Sequence, residues 1–166
     1  MNKGLKVLTV LVWLLFLGMI GAICYLSFQD GESAKEIDRI FTDKVIAYLY
    51  SGEELSTEKL VEVTNTIRQF GRIVLFFTLG VLGTAAIHLA FHKINWLLRT
   101  IISVVVLVGI AVFTERYKMY LPTRHFSEEE MVLSIEGAIL GFLFISVVSF
   151  VFGILAWIFK KLFKRK

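Results

Sequence analysis

The sequence predicts an all-α polytopic membrane protein, a four-transmembrane-helix bundle with an extracytoplasmic amphipathic helical segment between its first two spans. Three observations predict it. Hydrophobic residues fill 57% of the 166 positions and charged residues 19%, with a mean hydropathy of +0.74, a composition outside the range of water-soluble domains. Four apolar stretches reach the ~20 residues that a rise of ~1.5 Å per residue needs to cross ~30 Å of hydrocarbon. The charges between those stretches are segregated by sign.

The spans cover residues 5–27, 72–91, 94–113 and 131–159. The chain then reads as one membrane domain, with 28–71 as an outer helical cap, 114–130 as an outer loop and 160–166 as a basic cytoplasmic tail. Lys3 and Lys6 precede the first apolar run as in a signal peptide. That run is longer than a signal core, however, and no small-x-small cleavage site follows it, so it is read as a retained helix. Gly21-Ala22-Ile23-Cys24 is a poor lipoprotein signal, because Ile23 stands where a small residue belongs. Cys24 is the only cysteine, which excludes an intramolecular disulfide or a multi-cysteine metal site.

Orientation follows from the rule that Lys and Arg are retained in cytoplasmic loops. The N-terminus, the central connection and the C-terminus carry Lys3, Lys6, Lys93, Arg99, Lys160, Lys161, Lys164, Arg165 and Lys166 and no acidic residue. Both termini are therefore placed in the cytoplasm of a plasma-membrane protein. Nearly all the acid lies in the other two connections, from Asp30 to Glu62 and from Glu115 to Glu130, which face outwards. The basic tail reads as a topogenic anchor on anionic lipid and not as a nucleic-acid site.

The connection over 28–71 is too long for a simple link. Ser33-x-x-Glu36 has the form of a capping box, and Ile37, Ile40, Phe41, Val45 and Tyr48 follow at helical spacing. After Ser51-Gly52, a second segment from Ser56 places Leu60, Thr64, Ile67 and Phe70 or Gly71 on one face and continues towards the second span. Two amphipathic helices lying on the outer membrane surface or over the bundle mouth fit this pattern. The acidity of the loop argues against an anionic-lipid-binding helix, which carries Lys and Arg on its polar face.

Charges in or beside hydrocarbon cost about 2.5–3.5 kcal/mol at a helix centre and call for a reason. Arg68 and Arg72, four apart, share one face of the second span at its outer end. Glu115 ends the third span, Arg124 follows Pro122, the only proline, and Glu130 and Glu136 open the fourth. These helix ends lie at one depth, so a polar cluster is expected there, and arginine's planar fork suits phosphate or carboxylate. The candidate ligand-binding residues are thus Arg68, Arg72, Glu115, Arg124, Glu130 and Glu136, and the partner is membrane lipid, specifically an anionic headgroup. Competing structural readings exist. Ser127-Glu128-Glu129-Glu130 is also a capping box, with Phe126 and Met131 as a hydrophobic staple, and Arg68 and Arg72 are also placed to anchor at the interface. Glu136, more than a turn into the apolar run, is expected to pair with an arginine or to titrate.

His88 and His92 are four apart, but no Cys, Asp or Glu beside them completes a metal site. Gly137-x-x-x-Gly141 and Gly80-x-x-Gly83 permit close helix approach, within the bundle or between protomers, and leave the oligomeric state open. No nucleophile motif, phosphate loop or zinc signature is present, so no catalytic residue, metal or cofactor is assigned.

The stretch from Glu115 through Pro122 and Arg124, followed by Glu130 and Gly137-x-x-x-Gly141, resembles the VanZ-like family of membrane proteins, named for a teicoplanin-resistance protein. The family pattern is approximately E-x-H-Q-x-F-x-P-G-R, an acidic residue, and a glycine repeat in the last helix. Glu130 stands where aspartate is usual. Ser27-Phe28-Gln29 resembles the family's S-x-Q, Ile67-Arg68-Gln69 resembles the arginine-lysine pair before its second helix, and the order of four spans agrees. Arg72 occupies an apparent histidine position, Phe76 an apparent tyrosine position, and Tyr117-Lys118 replaces His-Gln. These departures remove the imidazoles but keep the Glu115/Arg124 core. The resemblance implies a bacterial membrane protein associated with tolerance of glycopeptides that target cell-wall precursors, and no settled biochemical activity. Two functions follow as expectations. One is a headgroup-binding pocket for an anionic lipid or cell-wall precursor; the other is an interaction protein that docks through its acidic cap and glycine-lined helix faces. A membrane enzyme using Glu115 or Glu136 as a base ranks below both.

Overall fold

The structure is a computed structural model that describes residues 3–28, 40, 44–45, 48, 57–122 and 125–163. Among these residues every regular element is helical: α1 is Lys3–Phe28, α2 is Thr57–Ala90, α3 is Trp96–Tyr117 and α4 is Glu128–Phe163. A 3-10 turn, Lys118–Tyr120, extends α3. All four α-helices are long and apolar enough to cross a membrane.

Local sequence sets most of the helix ends. Asn95 caps α3, its side-chain oxygen accepting from the Leu97 N–H at 3.2 Å. Ser127 caps α4, its hydroxyl accepting from the Glu130 N–H at 3.3 Å. The other end of α3 stops because Pro122 disfavours helical backbone in the residue before it. Leu121 is accordingly extended (φ −100°, ψ 123°), with its N–H on the Lys118 carbonyl.

One boundary differs from the sequence expectation. The second helix does not begin at Arg72; it runs unbroken from Thr57, so the segment assigned to the cap over 57–71 is the first four turns of α2. The apolar run marks where a helix becomes compatible with lipid, whereas the backbone hydrogen-bond ladder continues through polar residues. At ~1.5 Å per residue, 34 residues span about 51 Å, well beyond a ~30 Å hydrocarbon core. The earlier amphipathic segment falls mostly outside the described residues. Ile40, Lys44, Val45 and Tyr48 within it are helical, and Ile40 and Tyr48 are exposed.

Side-chain contacts fix the directions. The C-terminus of α1 meets that of α3 through the Phe28 and Tyr117 rings, tilted to each other with centroids 4.3 Å apart, while the end of α2 meets the start of α3 through Arg99 and the His88 carbonyl. Helices α1 and α3 therefore run one way, α2 and α4 the other. One end of the bundle, here the loop end, is where α1 and α3 finish and α2 and α4 begin; the other, the terminus end, is where α1 begins, α4 finishes and α2 is joined to α3.

The core is small and made of side chains from all four helices: Phe16 and Ile23, Phe76, Leu79 and Ala86, Leu107 and Ala111, Ala138 and Phe142. Outside it the chain is covered with exposed apolar groups such as Leu14, Val105 and Phe150. Such a surface suits hydrocarbon, where helices associate by close packing and not by exclusion of water. Helices α2 and α4 provide that packing through glycine. A Cβ at Gly137 would lie 2.7 Å from the Ile73 carbonyl oxygen, one at Gly80 would strike the Ala138 carbonyl, and one at Gly141 the backbone of Phe77 and Val81. At Gly83 a Cβ would lie 2.7 Å from the Phe16 ring. Both glycine motifs are packed inside the bundle, one of the two placements that the sequence left open.

Candidate functional site

The close contact of α2 with α4 brings the loop-end charges together. On α4, seven residues at ~100° each return nearly to the starting direction, so Glu130, Gly137 and Gly141 share a face. The glycines seat that face on α2 and carry Glu130 to Arg72. On α3, the helix and its 3-10 extension place Glu115 and Lys118 three residues apart, facing the same point.

Four side chains from three helices form the centre. Arg72 donates through Nη1 to Glu115 Oε1 and through Nη2 to Glu130 Oε2 at 2.6 Å. Lys118 Nζ donates to the same two oxygens, at 2.9 Å and 3.0 Å. Each cation thus bridges both carboxylates, and each carboxylate is held by both cations. Arg68, one turn before Arg72, stands at the rim with Nη2 3.8 Å from Glu130 Oε1.

Burial is graded across the cluster. The side chains of Glu115 and Lys118 are 1% and 3% exposed, that of Arg72 20%, Glu130 30% and Arg68 42%. Charges so enclosed are tolerable only when paired, because desolvation costs several kcal/mol per ion and removing one partner strands the other. Deeper in the bundle the polar groups turn inwards. Thr114 donates to the Ile110 and Ala111 carbonyls and Ser134 to the Glu130 carbonyl, so they offer no competing partner to the ions. Glu115 Oε2 alone in the cluster is buried and accepts no hydrogen bond.

The chemistry of the arrangement lies in Arg72. A guanidinium has five N–H donors in a rigid fork. Two of them are bonded to the carboxylates, and the side chain remains partly exposed. The carboxylates fix its plane, so its remaining donors are oriented before any acceptor arrives. Lys118, by contrast, is enclosed and serves to neutralise and hold the two acids.

Of the residues singled out in the sequence, Arg68, Arg72, Glu115 and Glu130 come together. Arg124 lies outside the described residues. Glu136 does not join the cluster; it is exposed on another face of α4, which corrects its inclusion among the binding residues. Six residues beyond Glu130 turn it about 240° away. Glu130 combines its two readings: Ser127 caps the helix through the Glu130 N–H, while the carboxylate is committed to Arg72 and Lys118. Pro122 is exposed in the turn after the 3-10 segment, and Gly137 and Gly141 pack against the backbone of α2. Lys118 was missed as a site residue. Its signal was present, a lysine one turn after Glu115 at the end of an apolar helix, where an acid and a base at i and i+3 pair.

Among the described residues no group of three or more His, Cys, Asp or Glu is placed to hold a metal ion. Comparisons with family models, curated proteins and solved structures find no match to this chain.

Proposed function

We propose that the chain is a bacterial plasma-membrane protein of the VanZ-like type, crossing the bilayer four times with both termini in the cytoplasm. In this reading the loop-end cluster faces outwards, and through it the protein binds the anionic headgroup of a lipid or a cell-wall precursor and contributes to glycopeptide (teicoplanin) tolerance. The single observation that carries the binding reading is Arg72, a guanidinium oriented by two carboxylates, partly exposed, with donors left over for a phosphate or carboxylate acceptor. Supporting the orientation, Lys3, Lys6, Lys93, Arg99 and Lys161 all lie at the terminus end. Arg68 extends the basic rim by one turn. Arg124 enters the site by its place in the outer connection of the sequence and by the family resemblance.

The alternative, an interaction protein, now rests on the acidic connection by itself, since Gly80, Gly83, Gly137 and Gly141 are packed against neighbouring helices of the same chain.

The test is teicoplanin susceptibility of a deletion strain complemented with wild type, Arg72→Lys, Glu115→Ala or Arg124→Ala at matched membrane abundance. Wild type is expected to restore tolerance and the three variants to fail. Susceptibility that responds to neither deletion nor complementation would remove the tolerance reading.

A further inference from the structure

At the terminus end, remote from the charged cluster, a cavity of about 470 Å³ opens between the end of α2, the start of α3 and the second half of α4. Its size falls within the ~300–1,000 Å³ of small-ligand pockets. The walls are Trp96, Phe150 and Ile154, and its polar groups are His88, Arg99, Ser146 and Ser149. Among the described residues no acidic side chain lines it.

Those polar groups are under-used. Arg99 reaches across to the His88 carbonyl with one donor, Nη1, at 3.3 Å, while its buried Nε has no partner, nor has the buried Nε2 of His88. Thr78, Thr100, Ser103 and Ser134 satisfy their hydroxyls by donating to the carbonyl four residues back, whereas Thr84, buried in α2, does not. Ser146 and Ser149 make no such bond among the described residues. A cation, an imidazole and two free hydroxyls therefore converge on one apolar-walled space with no carboxylate to neutralise them.

We propose that this cavity is a second binding site, for a phosphate-bearing ligand, distinct from the loop-end cluster and standing whether or not that cluster binds a headgroup. Arg99 supplies the positive charge and a directional donor, Ser146 and Ser149 supply hydroxyl donors, and Trp96, Phe150 and Ile154 receive the apolar part of an amphiphile. A phospholipid of the leaflet at this end and a free phosphate-bearing solute share this chemistry.

Trp96 makes the site observable. In the full chain with Trp13→Phe and Trp157→Phe, reconstituted in vesicles, Trp96 emission is quenched by lipids with brominated acyl chains. Brominated phosphatidylglycerol is expected to quench at about tenfold lower mole fraction than brominated phosphatidylcholine, the size of one charge-assisted interaction. Arg99→Gln and Ser146→Leu, the second filling the cavity without touching the Arg99–His88 contact, should each abolish that preference. Inorganic phosphate that shifts Trp96 emission in an Arg99-dependent way would identify a solute site; phosphatidylglycerol preference without a phosphate response would identify a lipid site. Equal quenching by the two lipids with no phosphate response, or a preference that survives both variants, would overturn the proposal.

Discussion

Replacing Arg72 with methionine removes the side chain that ties α2 to both other helices of the charged cluster. Glu115, 1% exposed, then keeps only Lys118, and Glu130 keeps Lys118 and the looser Arg68. Breaking a buried pair by deleting one partner typically costs ~3–5 kcal/mol. Because Lys118 still reaches both carboxylates, the loss should fall at the lower end, about 3 kcal/mol. Glu115→Gln keeps an acceptor but loses the charge, and should cost about 2 kcal/mol. If Arg72 and Glu115 interact as described, the double variant will be less destabilised than the sum by at least ~1 kcal/mol, within the coupling range of contacting residues. The assay is unfolding in mixed micelles followed by tryptophan fluorescence, run on wild type, both single variants and the double. Additivity to within ~0.5 kcal/mol would refute the reasoning, because the two side chains would then not share a buried bond.

Three further outcomes follow from the same geometry. Gly141→Ala, whose Cβ would meet the Phe77 and Val81 backbone, should destabilise by about 1–3 kcal/mol, whereas Gly109→Ala, with nothing within 4 Å, should be neutral or up to ~1 kcal/mol stabilising through helix propensity; the same unfolding titration compares them. Lys118→Met should destabilise at least as much as Arg72→Met, since it strips an enclosed cation from both carboxylates, and Lys118→Arg should recover part of the loss, both read by the same titration. Glu136→Leu should leave the Arg72–Glu115 coupling energy unchanged, and a double-mutant cycle that shows coupling between Glu136 and Arg72 above ~0.5 kcal/mol would contradict its placement on the exposed face.

The architecture was legible because lipid imposes a coarse rule that composition reveals directly: an apolar run of about 20 residues and a sign change across it. Depth counting then placed Arg72, Glu115 and Glu130 at one level. Angular position was less accessible. Glu130 and Glu136 are close in sequence and both acidic, yet only helical arithmetic from the Gly137/Gly141 face separates the one that meets Arg72 from the one that does not. Lys118 was obscured by its place in a motif comparison, where it counted as a departure from a usual residue and not as a base one turn from a buried acid. The helical segment read from Ser56 and the span read from Arg72 are one helix, Thr57–Ala90, because hydropathy reports the solvent around a helix, not the continuity of its backbone hydrogen bonds.

The central claim is that Arg72 presents an oriented guanidinium to an anionic headgroup. Its most direct test is binding of phosphatidylglycerol to the purified full chain by native mass spectrometry, in an Arg99→Gln background that silences the opposite cavity. Arg72→Lys keeps the charge but lacks the planar fork, so it should bind about tenfold more weakly, with an unchanged helical circular-dichroism spectrum. Binding by Arg72→Lys and Arg72→Gln equal to that of Arg72 would contradict the claim and leave the cluster as a purely structural clasp between three helices.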